Sequence, residues 1–157
     1  MRVLVVDDHD ASRQALGDVV LATGGFALVG SSSSGDEALR MLPKLSPDLV
    51  LLDVQMPGLD GPATAHVITE NRPEVAIVLV SAGELPTLAP SVGAVGVPKR
   101  EISPRRLVEA WMEARDVRDV RARAAEARHL AQARVEEAAA LHAQARHQIR
   151  RSQRWLR

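Results

Sequence analysis

Cysteine is absent from the 157 residues, and aromatic side chains make up only 2 % of them. Without cysteine there are no disulfides and no thiolate zinc sites. With so few rings, a core must be built from Val, Leu, Ile and Ala, and an apolar content of 46 % suffices for one. No stretch approaches the roughly 18 apolar residues that a membrane-spanning helix requires. The opening MRVLVVDDHD is a short apolar run ending in three acids within four residues. A secretory leader has a longer, acid-free core. We therefore expect a cytoplasmic protein with no membrane partner.

Charge of one sign is missing only in sum. The formal net charge is zero, but residues 1–100 carry seven Lys/Arg against twelve Asp/Glu, a net of −5. Residues 101–157 carry thirteen Arg against eight acids, a net of +5. The length allows one ordinary domain plus an appendage of a few dozen residues. The asymmetry predicts a domain over 1–115 and an Arg/Ala-rich helical tail over 116–157.

Along the front part, apolar β-branched runs alternate with helical stripes. Strands are predicted at Val3–Val6, Phe26–Gly30, Asp48–Leu52, Val75–Val80 and, briefly, Ala94–Val97. Helices are predicted at Ala11–Ala22, from Ser34-Gly35-Asp36-Glu37 onward, and from Pro62 to about Glu70. Pro86 and Pro90 leave room for little more than one or two turns in 83–91. Strands alternating with helices imply right-handed crossovers and a parallel sheet. Ligands of such sheets sit beyond the carboxyl ends of the strands. Asp7 and Asp8, Asp53, Ser81 and Lys99 fall at four of those ends.

Three carboxylates at one sheet edge repel each other unless a cation lies among them. All-oxygen ligation favours a hard ion, Mg²⁺ above all. A carboxylate can also accept a phosphoryl group as an aspartyl-phosphate. Lys99 and the Ser81 hydroxyl would then offset charge on the phosphoryl oxygens. His9 stands near the acids, but a lone histidine is more often a surface residue, and it is given no role.

The segment Asp53-Val54-Gln55-Met56-Pro57-Gly58-Leu59-Asp60-Gly61 fits the pattern D-x-x-M-P-x-x-D-G. With Asp7-Asp8, Ser81 and Lys99 in order around it, residues 1 to about 115 resemble a response-regulator receiver domain of two-component systems. The resemblance implies an α/β, flavodoxin-like fold with a five-stranded parallel sheet in the order 2-1-3-4-5 and helices on both faces. It implies that Asp53 is the phosphoacceptor, served by a histidine kinase or a small phosphodonor. It further implies that Asp8, Asp53 and the main-chain carbonyl of Gln55 ligate Mg²⁺, with Asp7 set slightly back. Ser81 would sense the phosphoryl group and Lys99 would contact it. Enzymatic activity beyond self-phosphorylation and self-dephosphorylation is not expected.

The chain departs from that family pattern in two places. Gly93-Ala94-Val95-Gly96 is followed by Val97, Pro98 and Lys99, one residue shorter than the usual spacing and without the usual aromatic. The stretch from Ser81 to Lys99 is short, so the fourth helix of the family should be stunted. These departures keep open a phosphorylation-independent pseudo-receiver that acts as an adaptor through its tail. A haloacid-dehalogenase-like phosphatase would need a second acid where Gln55 stands, and ranks far behind.

Residues 104–157 hold no glycine and no proline after Pro104. Ala, Arg, Glu, Gln and Leu favour one helix, roughly 75 Å long over about 50 residues. Leu107, Val108, Trp111 and Met112 are the expected anchors on the domain. Farther on, an alanine-rich seam admits two readings, a homodimer through the tail or a single helix. From His142 onward there are five Arg and no acid. Nucleic acid is a possible partner of that end, but no helix-turn-helix pattern accompanies it, and a solvated basic end is favoured.

Overall fold

The computed structural model describes residues 1–83 and 92–153, with residues 144, 145 and 147–153 described in backbone only. Five strands form one parallel sheet: β1 Arg2–Val6, β2 Ala27–Ser32, β3 Leu49–Asp53, β4 Ala76–Ser81 and β5 Val95–Pro98. Their order is β2-β1-β3-β4-β5, as the resemblance implies. The helices are α1 Asp10–Ala22, α2 Gly35–Leu45, α3 Gly61–Asn71 and α4 Pro104–Gln153, with a 3₁₀ turn at Lys99–Glu101. The expected stunted helix falls at 84–91, outside the described residues.

β1, β3 and β4 are buried along almost their whole length, which is why they read as unbroken apolar runs rather than alternating ones. Alternate residues feed two cores. On one face Leu4, Val6, Val50, Leu52, Ile77 and Leu79 meet Ala38 and Leu42 of α2 and Ala65 and Ile68 of α3. On the other, Val3, Val5, Leu51, Val78 and Val80 meet Leu16 and Val20 of α1 and Leu107, Ala110 and Ala114 of α4.

Two expectations need correction. β2 runs to Ser32 rather than ending at Gly30, because its register with β1 shifts between Val3 and Leu4 and pairing then continues to Val6↔Ser32. On α4, Val108 is 38 % and Met112 53 % exposed, so neither anchors the helix. The face turned to the sheet is Leu107, Ala110 and Ala114, all buried, with Trp111 partly buried beside them, an i, i+3, i+4, i+7 stripe in which two small alanines seat the helix.

The chain divides into two compact units, Met1–Ala122 and Arg123–Arg157. In the second, the helix exposes every described side chain but Ala125, including Leu130, Val135 and Leu141. Among the described residues, no helix is long and apolar enough to cross a membrane.

Candidate functional site

The site is assembled where strands end. β1 and β3 are neighbours with Val6 beside Leu52, so the next residues, Asp7 just past β1 and Asp53 at the end of β3, stand side by side. Asp7 is fully buried. Its Oδ1 accepts from the His9 amide at 2.9 Å and its Oδ2 from Ser12 Oγ at 2.6 Å. Its carbonyl accepts from Arg13 Nη1 at 2.7 Å. The first turn of α1 thus fixes this acid from three directions. Asp8 is more open, and its Oδ1 faces His9 Nδ1 at 2.8 Å.

Asp53 is the last residue of β3 and is 3 % exposed. The loop after it is drawn tight by the D-G end of its motif. Asp60 caps α3, its Oδ1 accepting from the Ala63 amide at 2.8 Å, and Pro62 occupies the first turn. Gly61 donates to the Val54 carbonyl at 3.1 Å. A Cβ on Gly61 would strike the Asp53 carbonyl oxygen and lie 2.8 Å from Val54 Cα, so only glycine lets α3 start against the end of β3. Met56 tucks into the core below the loop.

Lys99 opens the 3₁₀ turn that follows β5. Its Nζ lies 2.6 Å from Asp7 Oδ2 and 3.0 Å from Asp53 Oδ1. The missing residue before it therefore does not displace it. β5 stays in register with β4 through Val80↔Val97 and Ser81↔Pro98, and the turn begins immediately after. Val97, standing where an aromatic is usual, is fully buried in the core. Ser81 ends β4 at the same edge, buried, with its Oγ accepting from the Gly83 amide at 3.2 Å.

These groups set one another's charge. Burial pushes Asp53 up, Lys99 pulls it back, and the charges of Asp7 and Asp8 add to the rise, leaving it above its ordinary value. Burial also raises Asp7, but hydrogen bonds from Lys99, Ser12 and the His9 amide outweigh it, so Asp7 lies below its ordinary value. Burial disfavours the Lys99 ammonium, yet its contacts with the two carboxylates hold it above its ordinary value. One ammonium against three acids leaves an excess of negative charge. The oxygen donors of Asp7, Asp8 and Asp53 and a nitrogen of His9 lie within 4.8 Å of one another. This donor set fits a hard divalent cation held mainly by carboxylate oxygen.

The structure therefore brings Asp7, Asp8, Asp53 and Lys99 together and sets Ser81 at the same sheet edge. Gln55 follows in the loop, with its side chain exposed. His9, left without a role on sequence grounds, belongs to the cluster. Its place directly after the acid pair was the available signal.

The model of the response regulator receiver domain family matches residues 3–112. The chain belongs to the response-regulator receiver family. Among curated relatives, the receiver is 34 % identical over 113 residues to the response regulator GacA of Pseudomonas viridiflava, covering 70 % of this chain and 53 % of that protein. It is 38 % identical over 116 residues to the positive alginate biosynthesis regulatory protein of Pseudomonas aeruginosa, covering 73 % of this chain and 47 % of that one. The chain spans about half the length of these relatives. Among solved structures, the receiver domain of NarL from Mycobacterium tuberculosis superposes with a TM-score of 0.65 at 28 % identity, covering 73 % of this chain and 95 % of that domain. The receiver domain of CheB from Thermotoga maritima gives 0.64 at 28 % identity, covering 74 % and 96 %.

Proposed function

We propose that this receiver accepts a phosphoryl group on Asp53 and, in doing so, changes its protein contacts. The observation that carries this is Lys99 Nζ standing between Asp7 and Asp53 at 2.6 and 3.0 Å. A carboxylate oxygen of Asp53 attacks phosphorus. The bond from phosphorus to the donor's histidine nitrogen, or to the oxygen of a small acyl phosphate, breaks, and the donor keeps the electron pair. Lys99 meets charge on the phosphoryl oxygens and the Ser81 hydroxyl donates to one of them. Asp8, Asp53 and the Gln55 carbonyl would hold Mg²⁺, with Asp7 behind them. Such an ion, when bound, neutralises acids that otherwise repel the incoming group.

The phosphodonor is a histidine kinase or a small-molecule phosphate, and the setting is cytoplasmic. Residues 1–115 act as the receiver and 116–157 as an interaction tail, with a second copy of the chain a possible partner and nucleic acid possible but not favoured. Incubation with Mg²⁺ and acetyl phosphate tests the reading. Intact mass should gain one phosphoryl group, and Asp53→Ala should not.

Val97 favours a second reading. It is fully buried and β-branched, with none of the swing available to an aromatic ring. A receiver built this way serves as an adaptor whose tail contacts do not depend on phosphate. That reading expects sedimentation to be unchanged by beryllofluoride, and a phosphate-dependent shift would end it.

A further inference from the structure

His9 has no part in the reading above, yet it touches both acids of the β1 end. Its amide donates to Asp7 Oδ1 at 2.9 Å, and its ring Nδ1 lies 2.8 Å from Asp8 Oδ1 and 3.9 Å from Asp7 Oδ1. Two donors at right angles on one ion, each about 2.1 Å from it, stand about 3.0 Å apart. The separation of Nδ1 from Asp8 Oδ1 is that of adjacent ligands. The His9 side chain is 74 % exposed while that of Asp7 is closed, so the ring lies on the solvent side of the cluster.

We propose that His9 is a cation-selectivity residue: its Nδ1 joins Asp8 and Asp53 on the bound ion, so the site takes imidazole-preferring first-row cations as well as Mg²⁺. The inference rests on the reading that Asp8 and Asp53 hold a divalent cation. Carboxylate and water suit Mg²⁺, whereas an imidazole nitrogen adds strength for Ni²⁺ and Zn²⁺ and little for Mg²⁺. The ring binds neutral, with its proton on Nε2, and the ion takes the place of the hydrogen bond now joining Nδ1 to Asp8. A purely positioning His9 would orient Asp8 and strengthen every cation by the same factor. A ligand His9 separates them.

The test is calorimetric titration of the full chain with Ni²⁺ and with Mg²⁺, in wild type, His9→Ala, His9→Gln and Asp8→Asn, with circular dichroism confirming the fold of each. Ni²⁺ affinity should fall about ten-fold or more in His9→Ala and His9→Gln, while Mg²⁺ affinity moves by less than about three-fold. Mg²⁺ should compete for the Ni²⁺ site, and Asp8→Asn should weaken both ions. Equal losses for the two ions, an unchanged Ni²⁺ affinity, or Ni²⁺ binding that Mg²⁺ does not contest would overturn the assignment. Failure of the underlying reading looks different, because Mg²⁺ would then not bind the wild-type chain at all.

Discussion

Each end of the sheet holds a partly buried cation, and the two are used in opposite ways. At the carboxyl ends of the strands, Lys99 faces the carboxylates of Asp7 and Asp53. At the amino ends, Arg121 of α4 donates to main-chain carbonyls: Gly93 at 2.7 Å, Pro73 at 3.1 Å, and Val75. The carboxylates hold Lys99 above its ordinary value despite burial. Burial lowers Arg121, where Glu74 attracts and Arg118 repels. Partners that are themselves charged can be exchanged for another cation or for a phosphoryl group. Carbonyls fixed by the backbone cannot. One end is built to change its occupants, the other to keep the start of β4, the start of β5 and α4 in one arrangement.

Removing either cation should separate these roles. Lys99→Ala leaves two buried carboxylates facing each other, and in the absence of divalent ions it should cost on the order of 3 kcal/mol in urea unfolding. Mg²⁺ should recover much of that loss and bind more tightly than to wild type, since a competing positive charge has gone. Equal destabilisation with and without Mg²⁺ would break the contrast between the two ends.

Arg121→Met keeps the aliphatic stem and removes the charged donors to three carbonyls. A loss of about 2 kcal/mol is expected, with no dependence on divalent ions. Gly93 adds a finer probe. It sits at φ +68°, and a Cβ there would lie 3.1 Å from Arg121 Nη1, so Gly93→Ala should destabilise in the same ion-independent way. Divalent-ion titration of both variants should match wild type.

The smallest effect has the opposite sign. Asp53 is raised in the fold, so the folded chain binds its proton more tightly than the unfolded one. Its stabilising contribution is present below the unfolded value of 3.8 and is lost as pH rises through the folded value. Asp7 is lowered, so its contribution is present above 3.8 and is lost as pH falls through its folded value. Asp53→Asn should therefore raise the denaturation midpoint at neutral pH without divalent ions, and its advantage over wild type should shrink below pH 4. Asp7→Asn should lower the midpoint at neutral pH, and a rise there would contradict the assigned directions.

The parallel strands and the acid cluster were legible because they depend on residues that announce themselves, whereas the strand order came only with the family resemblance. Continuous apolar runs such as Leu49–Leu52 read as strands closed on both faces, and the carboxylates directly after the runs of β1 and β3, Asp7 and Asp53, land at one edge. The anchors of α4 were less legible. Leucine, valine, tryptophan and methionine all read as candidates, whereas the fit to the sheet is made by Leu107 with Ala110 and Ala114, and alanine gives no hydrophobic signal strong enough to mark a face. A single histidine such as His9 acquires meaning only from what its ring meets in space. Arg121 lies beyond the stretch that matches the family model, and nothing in an Arg-rich run marks which guanidinium turns inward.

The most direct measurement is intact-mass spectrometry of the full chain after incubation with acetyl phosphate and Mg²⁺, followed by peptide mapping. One phosphoryl group is expected, carried by the peptide containing Asp53, absent in Asp53→Asn and strongly reduced in Lys99→Ala. An unmodified wild-type chain, or a phosphoryl group that persists when Asp53 is replaced, would contradict it.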